Sequence, residues 1–132
     1  WEPERAVAAG ALESELHDAQ EASETDLANH YEQELGLLGR CQTAPDHLAP
    51  GIDLFPLPGV TPGTCGLLLP LPRTTVLICG DAVATIEHLE QGKVLPHCHD
   101  IEQAQGSFAE AVEIADLLIL GRDNIAPNPL RM

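Results

Sequence analysis

Residues 57–64 read L-P-G-V-T-P-G-T, and residues 76–81 read V-L-I-C-G-D. Two Pro-Gly pairs so close together force a turn, because proline lacks an amide donor and glycine admits backbone conformations closed to other residues. Beyond the turn, the apolar runs at 66–69 and 76–79 are separated by P-L-P-R at 70–73. They read as two strands of a buried sheet joined by a short loop. The second strand runs straight into Gly80 and Asp81, so the segment is a frame for holding a carboxylate at a strand end.

The surrounding chain supplies the remaining elements. From about residue 3 to residue 20, Val7, Ala11, Leu12, Leu16 and Ala19 recur at helical spacing, with Pro3 suited to a first turn. Ser23 or Thr25 can cap a second helix, along which Leu27, Tyr31, Leu35 and Leu38 line one face until Gly39. A proline-containing connector at 43–50 leads to the alternating stretch 51–57, which predicts a strand. Residues 82–100 read as loop-rich, since Gly92 and Pro96 prevent a long regular element. Ile101, Ala104, Phe108, Ala111, Val112 and Ala115 predict an amphipathic helix, followed by a short apolar strand at 117–120 and an extended tail at 127–132.

Taken together, the turn, the strand ending in Gly80-Asp81, and the segment A-D-L-L-I-L-G-R-D-N at 115–124 resemble the second half of a metallo-β-lactamase-fold hydrolase. The likeness covers roughly residues 48–128, and within the family it runs toward the lactonase and glyoxalase-like hydrolases. It implies an α/β fold: the second αβ repeat of a metallo-β-lactamase-like αββα sandwich, here preceded by two helices. The domain organisation expected is a helical segment at 1–40 and the C-terminal half of such a domain at 41–132.

The resemblance also shows what this chain lacks. The family's turn reads T-P-G-H-T-P-G-H, and its first histidine is a metal ligand. Val60 stands at that position, and Thr64 replaces the second histidine. Asp81 matches the aspartate that bridges two metals. The closing A-D-L-I-x-x-G-H-D segment has Arg122 where a histidine completes the second site, and no H-x-H-x-D-H string occurs.

Catalytic metal of this kind polarises a carbonyl or phosphoryl oxygen and acidifies bound water, which requires several converging ligands and an open position. Asp81 is the ligand that the resemblance carries over; otherwise it caps a turn or accepts backbone amides. His97 and His99 form a candidate replacement pair, because alternate side chains of an extended segment share a face, and Asp100 could orient one of them. Cys98 between them would point the other way, against a Cys/His nucleophile pair. Arg122, beside Asp123, offers a planar fork of donors suited to a carboxylate or phosphate. The preferred expectation is a salt bridge from Arg122 to Asp81 that fills the vacated metal pocket. His88 has no evident partner, and His17, His30 and His47 read as surface residues. Zinc or another divalent metal is the cofactor if further ligands come from elsewhere, and there is none if the pocket is plugged.

A formal net charge of −15 argues against a nucleic-acid backbone as partner and against anionic membranes. The acidic residues concentrate before Gly36, where Arg5 is the one Lys or Arg, giving a solvated helical face or a docking surface for something basic. Cys41, Cys65, Cys79 and Cys98 form no C-x-x-C pair, so a structural zinc site is not expected and the chain reads as reduced and cytoplasmic. The matched segments account for one repeat of a two-repeat sandwich, and the sequence starts at Trp1 without an apolar leader. It reads as a fragment, the other reading being a complete small domain. The partner expected is the N-terminal half of the same fold or a second copy in a homodimer.

Overall fold

The computed structural model describes residues 2–21 and 25–131, so Trp1 and the candidate cap Ser23 lie outside the described residues. The chain divides into two compact units, Trp1–Thr43 and Ala44–Met132.

The first unit is a helical hairpin of α1 (Glu2–Glu21) and α2 (Thr25–Arg40). Ala28, Tyr31, Leu35 and Leu38 of α2 recur every three or four residues and are buried or half-buried, while Leu27, expected on that stripe, is exposed. In α1 the expected stripe turns: Val7 and Ala11 are exposed, and Ala8, Ala9, Leu12 and Leu16 are half-buried. The small Ala6 and Ala9 instead line a cavity with Leu35, Leu38 and Gly39 of α2. Arg5 Nη1 donates to the Cys41 carbonyl and ties the ends of the hairpin together.

The second unit is a six-stranded sheet covered on one face by helices. Its strands are β1 (His47–Ala49), β2 (Ile52–Pro56), β3 (Cys65–Pro70), β4 (Thr75–Gly80), β5 (Leu117–Leu120) and β6 (Ile125–Pro127), ordered in space as in sequence. All neighbours are antiparallel except β4 and β5. That parallel pair needs a long crossover, and it consists of α3 (Ile86–Gln91) and α4 (Ile101–Ile114). The mixed α/β class expected from the sequence, two leading helices included, is the one observed.

Strand parity sorts the apolar residues onto two faces. Leu77, Cys79, Leu118, Leu120 and Ala126 enter one buried cluster with Leu57 and with Ala104, Phe108 and Ala111 of α4. The opposite face carries a row across five strands, Leu54, Leu67, Ile78, Ile119 and Ile125, each paired in register with the next. Strands apolar on both faces are the pattern of a sheet built to be covered on both sides.

Three elements depart from expectation. The connector before β2 contains β1, a three-residue edge strand whose side chains are all exposed, held to β2 by backbone pairing and by the cross-strand contact of His47 Nδ1 with Asp53 Oδ1. The loop-rich stretch contains α3, one and a half turns between the Thr85 cap and Gly92, which closes it in the left-handed conformation. The tail, expected to be extended from 127, follows a short strand β6 and turns into a 3-10 helix, Pro129–Arg131, held by Asn128. Asn128 is fully buried, and its amide donates to the Val112 and Ala115 carbonyls while its oxygen accepts from Leu130 N, which satisfies the group inside the core.

Candidate functional site

The Pro-Gly turn is fixed by helix α4. Gly59 has φ +138, and a Cβ there would lie 2.2 Å from the Ala104 backbone nitrogen, so only glycine fits. The Ser107 hydroxyl, buried on α4, donates to the Pro58 carbonyl at 2.6 Å. Within the turn, Thr64 Oγ1 accepts from Thr61 N at 3.0 Å and lies 2.7 Å from Thr61 Oγ1, so the threonine at the family's second histidine position closes the turn locally. Val60 is half-buried and packs against the hydrophobic cluster.

The segment carrying His97 and His99 runs alongside this turn. His99 N donates to the Val60 carbonyl and Asp100 N to the Gly59 carbonyl, at 3.0 and 2.9 Å. The segment bends instead of extending as a strand, and both imidazoles are exposed. Asp100 does not orient a histidine: its carboxylate accepts from Gln103 N at 3.0 Å and caps α4. An aspartate just ahead of an apolar helical period is a recognisable start signal, so this role could have been read from sequence. The Cys98 thiol donates to the Leu95 carbonyl, and partial burial raises its pKa above the ordinary thiol value.

Asp81 and Arg122 follow the C-terminal ends of the adjacent parallel strands β4 and β5, where Gly80 pairs with Leu120. Close backbone approach makes the corner: a Cβ on Gly121 would fall 2.2 Å from the Gly80 carbonyl oxygen. Gly121 N and Arg122 N donate to the Val83 and Ala84 carbonyls, which pins the buried Ala82, Val83 and Ala84 beside the strand ends. Arg122 Nε donates to Asp81 Oδ1 at 3.0 Å, and Nη2 to Oδ2 at 3.2 Å. This is a bidentate fork that engages both carboxylate oxygens. The hydrogen bonds and charge of Asp81 raise the Arg122 pKa further above its ordinary value. Both side chains are reached by water, Arg122 at 59% and Asp81 at 39% exposure.

Asp123 turns away to other work. Its oxygens accept from Asn124 N at 2.8 Å and Ile86 N at 3.2 Å, and these amides hold its pKa below the usual carboxylate value. It thereby anchors the turn after β5 to the start of α3. His88, which the sequence left without a partner, has Nδ1 2.7 Å from Thr85 Oγ1, and that same oxygen accepts from His88 N. The T-x-x-H spacing places His88 where a capping-box residue sits, which is the signal that could have found it. At the far end of the sheet, Asp116 accepts from Thr75 N and from Arg131 Nη1, a structural clamp between β4 and β5.

The donor set does not fit a metal held by this chain alone. Asp81 has both oxygens engaged by a cation, the Val60 side chain offers no lone pair, and among the described residues no three His, Cys, Asp or Glu side chains converge on one point. No described helix is long and apolar enough to cross a membrane.

No family model matches the chain, and no curated protein does. Among solved structures it is similar to an N-acyl homoserine lactone hydrolase with the product N-hexanoyl-L-homoserine bound at its catalytic metal center. That match has 29% identity and a TM-score of 0.49, and covers 58% of this chain and 32% of that one. The same figures hold for a B. thuringiensis enzyme with N-decanoyl-L-homoserine at its active site. A quorum-quenching N-acyl homoserine lactone lactonase matches with the same identity and TM-score, over 58% of this chain and 34% of its own. The chain spans about a third of the length of these enzymes, and it is to lactone hydrolases that this portion is similar.

Proposed function

We propose that this chain is the second αβ repeat of a metallo-β-lactamase-type fold turned to binding or assembly, with the Arg122–Asp81 ion pair standing where a metal would be held. The observation that carries this reading is the bidentate fork, which occupies both oxygens of the Asp81 carboxylate at the end of β4. A guanidinium there neutralises the acid without an ion and repels a cation approaching Asp81. Val60 supports the same reading, since it uses a would-be ligand position for packing. The partner is a complementary half of the same fold, the N-terminal repeat or a second copy, and the aliphatic row on the second sheet face supports that part. Unbridged thiols at Cys41, Cys79 and Cys98 suit the cytoplasm.

The second reading is a divergent metal-dependent hydrolase of esters, lactones or thioesters, completed by ligands from the other half. It is favoured by Asp81 itself, retained and solvent-accessible at the end of a strand. Elemental mass spectrometry on the purified native protein, beside the Arg122→His variant, separates the two. The assembly reading expects no stoichiometric zinc, iron or manganese in the native protein and metal uptake once the guanidinium is gone. Stoichiometric metal in the native protein would overturn it and direct the work to lactone and ester substrates. For the partner, sedimentation at rising concentration is expected to show association, and a monodisperse monomer at every concentration would rule out the second copy.

A further inference from the structure

We draw no further inference here: the strongest candidate, the aliphatic second face of the sheet formed by Leu54, Leu67, Ile78, Ile119 and Ile125, has nothing in the structure to show what covers it beyond the complementary half already proposed.

Discussion

The Pro-Gly turn and the Asp81–Arg122 corner are held in opposite ways. At the turn the contacts run into the core: Gly59 lies against Ala104, Ser107 holds the Pro58 carbonyl, and Val60 packs on the apolar cluster. At the corner a close glycine approach again fixes the backbone, but the side chains form an ion pair in contact with water. Packing over-determines the turn, whereas side chains that face solvent at strand ends carry little of a fold's stability.

The largest effect should come from the turn. Gly59→Ala combines a positive φ with a Cβ inside contact distance of a helix backbone, so a loss of about 3 kcal/mol or more in urea denaturation is expected. A loss below about 1 kcal/mol would mean that α4 yields easily and that the turn is not held by packing. Ser107→Ala removes a donor from the Pro58 carbonyl and should cost about 1–3 kcal/mol by the same assay. A neutral result would show that water replaces the hydroxyl. Asp100→Ala takes the cap from α4, for which about 1 kcal/mol is expected.

Along β4 the dry and wet regions lie two residues apart. Cys79 is fully buried, and burial pushes its thiol pKa up from 9.0 to about 12, whereas the Asp81 side chain is partly reached by water. Because the folded value is raised, Cys79 contributes a stabilising preference that is present below pH 9.0 and is lost as pH rises from there toward about 12. Alkaline denaturation of the Cys79→Ala variant should therefore be less steep over that window than in the parent. At pH 8, iodoacetamide followed by mass spectrometry should label the exposed Cys41 and spare Cys79 until the protein unfolds. Equal labelling would place Cys79 outside the core.

The elements that the sequence disclosed are those whose side chains carry the period. The 101–114 helix and the strands at 66–69, 76–79 and 117–120 follow from residue type and spacing along the chain, while the Asp81–Arg122 contact is the one expected from the resemblance. What it concealed is held by backbone pairing or by single local bonds. β1 is an edge strand with exposed side chains, α3 is too short to establish a period, and Asn128 is a polar residue buried only because the tail folds over the end of α4. The expectation for His97 and His99 assumed an extended segment, but the two backbone bonds to the Pro-Gly turn and the Asp100 cap bend it.

The smallest stability effect, and the sharpest test of the comparison, belongs to the corner. Arg122 and Asp81 are solvent-reached, so their attraction is screened and offset by the entropy of holding two side chains in one geometry. Arg122→Ala, Asp81→Ala and the double variant are expected to denature at midpoints close to the parent's, with a small coupling that shrinks as salt is raised. A pair enclosed in the core would behave otherwise, since removing one partner would strand a buried charge. If Asp81→Ala alone lowers the midpoint strongly while Arg122→Ala does not, the carboxylate is holding something other than the guanidinium, and the corner is a binding site instead of a filled one.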